Sequence, residues 1–520
     1  MANLTINRQQ GGLGRPLPGF DHVSGLVFFH GTYPSGFDSS NKIRKILSVA
    51  DAVSYGITND HSDETAASGG NFEFTNAGDL GQIIELQINE GEGAFTIGTA
   101  TVETGETTST LATKLRASVN DTSVYSHGYS AAGAGANVLL TPPDGLGDSI
   151  NGGSKLTLKE TPAGAAAATI TQFSSGVDGF HDVMYYQVSE FFRLNPKGVL
   201  YVGIFPDSAL TASRISEMQA FANGEIRQVG VFNQKSTFAS SDVTGIQTVC
   251  DTLAGLNTPL SVILAPDMTG LTLSSQPNLT TLDSENVSVL ISGDGLTTST
   301  TGFGAARKVF YKKAFTVAAL GATLGAVSKA KVHESIAWIG AFNISDGDSL
   351  DTVEFLPSTG FSSASASLKT QLDNYGYLFL QKETDLTGTY FNNDKTATAA
   401  TSDYARIRNQ RTIDKAVRGV RAKLLPLVSS PLYVNADGTL TEDTIAVFEN
   451  EANKIVGGVF NSSNATGEMV IAGEISAGQT LIDPAQDVLG TGEVVVTIEI
   501  IPVGAAEAIT ANIGFVASFN

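Results

Sequence analysis

Side chains suited to metal binding or nucleophilic chemistry are scarce in this sequence and do not converge. The histidines (His22, His30, His61, His127, His181 and His333) show no HxH, HxxxH or HExxH spacing, and Cys250 is the single cysteine. A zinc site of the usual kind draws on clustered Cys and His ligands, so none is expected, and no internal disulfide can form. Cys250 lies in the apolar helical run IQTVCDTLAGL and reads as a buried core thiol. There is no GxxxxGK[ST] phosphate loop and no GxSxG elbow, and 293-GDGLTTSTTGFG lacks the GxGxxG spacing. Asp207 follows an apolar strand, where an α/β enzyme places catalytic acids, but a turn or helix-capping role is the commoner one. Trp338, in SIAWIGAF, reads as core. This set points away from an enzyme and calls for no cofactor and no metal.

The strongest chemical signal is electrostatic. The stretch 404-YARIRNQRTIDKAVRGVRAKLLP-426 carries seven basic side chains and one acid, Asp414, in a chain of net charge −21. On a helical projection of about 100° per residue, Ile413, Val417, Val420, Leu424 and Leu427 share one face. Arg408, Arg411, Lys415 and Arg418 lie opposite at i, i+3, i+7 and i+10, flanked by Arg421 and Lys423. One side is thus expected to anchor in a core while the other projects a line of cations. With almost no acid at i+4, the self-repulsion is unrelieved, which suits an external acidic surface better than a solvated face.

The charge balance bounds the partners. A pI near 4.6 disfavours general nucleic-acid binding, which needs a basic face, and no aromatic residues interleave the cations of 404–423. The N-terminal MANLTINRQQGGLG has no apolar core and no cleavage pattern, so it does not read as a signal peptide. The apolar run 314-AFTVAALGATLGAV-327 is too short and too rich in small residues to span a bilayer. Its Gly321/Gly325 pair reads as close helix packing, and no membrane insertion is expected.

Four regions must position these residues. Residues 1–22 form an arm, with Leu4, Thr5 and Ile6 a short strand before GGLGRPLPG breaks regular structure. Residues 23–67 and 179–374 form an α/β domain. GLVFF reads as a buried strand, and Ile43, Ile46, Leu47, Ala50 and Val53 as one helical face capped by Asp38 or Ser39. Later, apolar strands (GVLYVGIF, IRQVGVF, PLSVILAP, NVSVLISG) alternate with helices (MYYQVSEFFRL, ALTASRISEMQAFA, DVTGIQTVCDTLAGL), which predicts a mostly parallel sheet covered on both faces. Residues 68–178 switch to short alternating strands around the helix TSTLATKLRASV, a β-rich insertion into a surface loop. Residues 375–520 form a C-terminal α+β unit: strand GYLFLQKE, the basic helix, a helix from Thr439/Glu442 at capping-box spacing, then strands EMVIAGEI, EVVVTIEIIPV and AITANIGFVAS. A terminal strand carrying Ile509, Ile513 and Phe515 presents unpaired backbone and needs a partner.

The order GTYFNNDKTATAATSDYARIRNQRTIDKAVRGVRAKLLP resembles the C-terminal region of contractile tail sheath proteins of phages, R-type bacteriocins and related injection systems. The pieces 198-GVLYVGIFPD, 225-EIRQVGVF and 318-AALGATLGAVSKAKVHESIAWIGAFN agree with it, and the resemblance leaves out 68–178. It implies a structural subunit that polymerises into a helical tube of stacked rings around an inner tail tube. Terminal arms would be exchanged between neighbours, Leu4, Thr5, Ile6, Ile509, Ile513 and Phe515 pairing as inter-subunit strands that complete the C-terminal domain. The stripe Arg408, Arg411, Lys415 and Arg418 would contact the tube, and 68–178 would lie outside. Assembly in a metastable extended state, within a bacterial cytoplasm and bounded by baseplate and terminator proteins, would precede contraction as a virion tail or injection particle. An α/β enzyme would need a pocket of convergent titratable groups, and a surface-layer or adhesin protein would need an export signal.

Overall fold

The computed structural model describes residues 20–90, 93–295, 313, 315–346, 349–357, 359–507 and 509–510. Its centre is a seven-stranded sheet, running spatially Tyr377–Leu378, Val287–Leu290, Ser261–Asp267, Gln228–Thr237, Val23–Phe29, Val199–Phe205 and Ile43–Ile46. All neighbours pair in parallel except Ile43–Ile46, which runs antiparallel at one edge. The strands VSGLVFF, VLYVGIF and SVILAPD are buried at every position, as a sheet covered on both faces requires. Gly25 faces Met218 of the helix Ser213–Phe221, whereas Gly230 faces Leu320 of the helix Leu320–Lys329, so these helices lie on opposite faces. The chain is therefore mixed α/β, with a mostly parallel central sheet and several small antiparallel sheets.

The Gly321/Gly325 pair packs as its composition suggests. A Cβ on Gly321 would lie 1.9 Å from the Gln187 carbonyl oxygen, and one on Gly325 2.8 Å from that of Phe191. Both carbonyls belong to the helix His181–Leu194. The Gln187 amide clamps the contact, donating to the Ala318 carbonyl at 2.7 Å and accepting from the Gly321 N–H at 2.6 Å.

Residues 67–173 carry a second hydrophobic core around Phe72, Leu86, Leu111, Val138 and Phe173. Strands Asn71–Asn76, Ser130–Ala132 and Ala167–Thr171 join those expected there. The entering and leaving chains are bridged at Thr65/Val177 and Ser68/Ser174. Adjacent acids fasten this junction to both sides. The Asp63 carboxylate accepts from Phe180 N at 2.7 Å and His181 N at 3.2 Å, at the start of a body helix. Glu64 accepts from Gly145 N at 2.9 Å and Gly147 N at 3.2 Å, within the insertion. Between them Asp182, fully buried, takes His61 Nδ1 and Lys313 Nζ at 3.1 Å each.

Several local expectations are corrected. Ile43 and Ile46 lie on a strand, and the helix begins only at Val49, because the Ser48 hydroxyl caps Asp51 N. NVSVLISG divides: Val287–Leu290 stays in the main sheet, while Ser292–Asp294 leaves it for a small antiparallel one. GYLFLQKE divides likewise, and its first strand, Tyr377–Leu378, lies at the edge of the main sheet. Thr441, not Thr439, caps the helix Glu442–Val456, accepting from Thr444 N. EMVIAGEI contains the short helix Glu468–Ile471 before the strand Ile475–Leu481 begins. Trp338 is 55% exposed, not core. Cys250 is buried.

Candidate functional site

The basic stretch forms the helix Ile407–Leu424, preceded by Arg406 in extended conformation. Ile407 belongs to the main core, whereas Ala416 and Val420 pack with Ile455, Val456, Val470 and Ile475 in a separate C-terminal core. Helix Glu442–Val456 and a three-stranded antiparallel sheet (Gly458–Val459, Ile475–Leu481, Thr497–Pro502) complete that unit. Cations in the last helical turn, Arg421 and Lys423, suit the negative end of the helix dipole.

The cation stripe points inward where an outward face was expected, although Val420 of the expected anchoring face is buried too. Arg408 is 7% exposed and Arg411 4%, while Val417, placed on the anchoring face, is 48% exposed. The helix lies between two cores, so most of its circumference is covered and its cations must find partners inside the chain.

They find them at the roots of both chain ends. Lys415 Nζ lies 2.7 Å from Asp21 Oδ2 and 2.7 Å from Glu474 Oε1, and Arg418 lies 3.5 Å from Asp21 Oδ1. Arg411 donates to the Asp21 carbonyl at 3.3 Å and to those of Ala330 at 3.1 Å and Lys331 at 3.3 Å. Burial alone would raise the Asp21 carboxyl, but the Lys415 hydrogen bond and the surrounding cations bring it below its ordinary value. Burial lowers the Arg411 guanidinium to about 10. Asp414, on the same helix, is pushed up to about 7 by burial, with Arg418 and Arg227 opposing.

At the other end of the helix, Glu507 is gripped twice. Arg406 donates from Nε at 2.8 Å and from Nη2 at 2.7 Å, and Arg408 Nη2 adds a third bond at 2.6 Å. These hydrogen bonds, Arg406 foremost, hold the Glu507 carboxyl down at about 2. Arg408 also reaches Asp394 Oδ1 at 2.6 Å. Lys423 lies 3.6 Å from Glu468, and Arg421 is exposed. The structure thus divides the stripe: Arg411, Lys415 and Arg418 converge on Asp21, whereas Arg408 pairs separately with Asp394 and Glu507. Of the strand residues, Ile509 is exposed, and Leu4, Thr5, Ile6, Ile513 and Phe515 lie outside the described residues.

Sequence reasoning missed Asp21, Asp394, Glu474 and Glu507. They lie far from the helix along the chain, and no spacing rule links them to it. Among the described residues no three His, Cys, Asp or Glu side chains form a group able to hold a metal, and no helix is long and apolar enough to cross a membrane.

Two family models match the chain: DUF2586, N-terminal domain, over residues 1–395, and DUF2586, C-terminal domain, over residues 403–520. No curated protein matches. Three similar solved structures are sheath or baseplate components. The helical sheath of the anti-feeding prophage in its contracted state has a TM-score of 0.43 at 13% identity, over 66% of this chain and 84% of that one. A chain of the baseplate of the same prophage gives 0.42 at 12%, over 65% and 81%. The sheath tail protein from Desulfitobacterium hafniense gives 0.35 at 12%, over 96% and 100%.

Proposed function

The chain belongs to the DUF2586 family, and we propose that it is a structural subunit of a contractile sheath. In this reading copies polymerise head to tail into a helical tube around an inner tube, held between baseplate and terminator proteins. The tube is assembled extended and metastable in a bacterial cytoplasm, and contraction of the virion tail or injection particle drives the inner tube through an envelope. The observation that carries the reading is that one helix holds the chain immediately beside both terminal segments, through Asp21 and Glu507. Two ends fixed at a common anchor on a rigid body are placed to link that body to separate neighbours, which builds an open heterologous lattice. A second support is the antiparallel sheet beside the anchor. Its edge strand, Thr497–Pro502, has a single partner strand among the described residues, so its outer edge is available for strand addition by an exchanged arm.

Within this reading Arg408, Arg411, Lys415 and Arg418 act inside the subunit. Contact with an acidic inner tube falls to Arg421 and Lys423, beside the exposed apolar side chains Val417, Leu425 and Val428. Sedimentation velocity over a rising concentration series tests the assembly. Open-ended growth of the full chain, abolished in a chain lacking residues 1–19, is expected. A closed oligomer of fixed size in both would overturn the reading.

A further inference from the structure

Four charged groups at the start of the basic helix are arranged unequally. Arg406 and Arg408 share two carboxylates, and the two differ in setting. Asp394 is nearly inaccessible, with 4% side-chain exposure, and belongs to the chain that leads into the helix. Glu507 has 49% side-chain exposure and lies on a run, 503–507, that has no regular secondary structure and is mostly exposed. Among the described residues that run is tied to the body by the strand Thr497–Pro502 on one side and by the ion pairs of Glu507 on the other.

This inequality decides what happens when Glu507 leaves. A buried arginine stripped of its only counterion is strongly unfavourable, because the charge stays desolvated. Here Asp394 remains 2.6 Å from Arg408 and 3.8 Å from Arg406, so neither guanidinium is abandoned. The two-arginine fork keeps its shape and is ready to receive a carboxylate again. Asp21 differs. It stands two residues before the fully buried strand Val23–Phe29, and Arg411 holds its backbone carbonyl as well as the neighbouring helix end. The N-terminal root is fixed by the sheet, whereas the C-terminal root is fixed by one exposed carboxylate.

We infer that Arg406 and Arg408, kept in place by Asp394, form a reversible carboxylate latch: Glu507 closes it in the free subunit, and it opens when the chain beyond Glu507 is drawn onto a second copy. The latch stands on the geometry alone, while its use in assembly rests on the proposed sheath function. A closed latch gives a free subunit one defined exit direction for its C-terminal end and slows premature linkage. An open one lets the end swing without unfolding the helix that anchors the other end.

Limited elastase digestion of the full chain, read by mass spectrometry at a concentration where sedimentation shows only monomer, separates the two claims. Glu507→Gln keeps the side-chain shape and removes the charge. Cleavage within 503–507, a run of small residues, is expected to be about tenfold faster than in wild type, with cleavage within 407–424 unchanged. Added salt is expected to speed wild-type cleavage within 503–507 and leave Glu507→Gln unaffected, which is the signature of an ion pair rather than of packing. A control, Glu499→Gln on the neighbouring strand, is expected to match wild type. Equal cleavage within 503–507 in wild type and Glu507→Gln, or faster cleavage spreading into 407–424, would overturn the latch. Assembly is then read separately. Glu507→Gln is expected to polymerise at a lower concentration than wild type, and a latch seen by digestion in a chain that never polymerises leaves the latch standing and removes the sheath.

Discussion

Arg411 shows what the basic stripe does at the level of single side chains. Its guanidinium gathers three backbone carbonyls, from Asp21, Ala330 and Lys331, and is almost fully buried. Arg411→Ala leaves those acceptors without their donor and is expected to destabilise the chain by about 3 kcal/mol, read as a lower urea midpoint. Arg411→Lys, which cannot span three acceptors, is expected to recover less than half of that loss. Two glycines give opposite expectations. A Cβ on Gly321 meets the Gln187 carbonyl oxygen at 1.9 Å, so Gly321→Ala must force two helices apart and should cost about 2–3 kcal/mol. A Cβ on Gly245, inside the helix Ser240–Gly255, meets nothing within 4 Å, so Gly245→Ala should stabilise by up to about 1 kcal/mol. The same urea titration distinguishes them. The cations were legible because seven of them crowd one short stretch, and Gly321/Gly325 because small residues at i and i+4 have a packing meaning. The answering acids at 21, 394, 474 and 507 were not legible, since only the folded chain brings them to the helix.

At the scale of elements, the junction between body and insertion should depend on pH. His61 is held above its ordinary value of 6.5 by the Asp182 carboxylate, with burial opposing. Its stabilising contribution is therefore present below pH 6.5 and lost as pH rises through the higher folded value. Burial raises the Asp182 carboxyl, but the hydrogen bond from His61 and the charge of Lys313 bring it below 3.8, so its contribution is present above that pH and lost on further acidification. The junction is expected to be most stable between about pH 4 and 6.5 and to weaken as pH rises past neutrality. Hydrogen exchange at 58–66 and 174–182 as a function of pH checks this, and His61→Gln should remove the alkaline loss. Protection that stays flat from pH 5 to 8 in wild type would contradict it. Long elements were readable here: apolar runs such as VLYVGIF and helices such as Ser240–Gly255 repeat their period enough times to fix their type. Short ones were not. Ile43 and Ile46 fit a helix spacing of i, i+3, yet the Ser48 cap starts the helix after them. Glu468–Ile471 is one turn long, and its four residues carry no periodicity to read.

At the scale of the whole molecule, the insertion has its own core, and its two connections are bridged at Ser68/Ser174. Replacing residues 69–173 by a Gly-Gly link should leave the body folded, with its far-UV circular dichroism and urea midpoint close to those of the full chain. Loss of a cooperative transition would show that the insertion is part of the body's core. The second hydrophobic core was legible as a change of texture, from buried strands alternating with helices to short alternating strands. The return of the strand Tyr377–Leu378 and of Ile407 to the main core was not, because it comes after the pattern has changed. The account depends most on both chain ends serving as links between copies. Electron microscopy of the purified full chain, beside chains lacking 1–19 or ending at Glu507, tests this most directly. Hollow tubes of uniform diameter from the full chain, absent from both truncations, are the expected result. Monomers or small closed oligomers from the full chain at every concentration, or tubes that persist when both ends are removed, would contradict it.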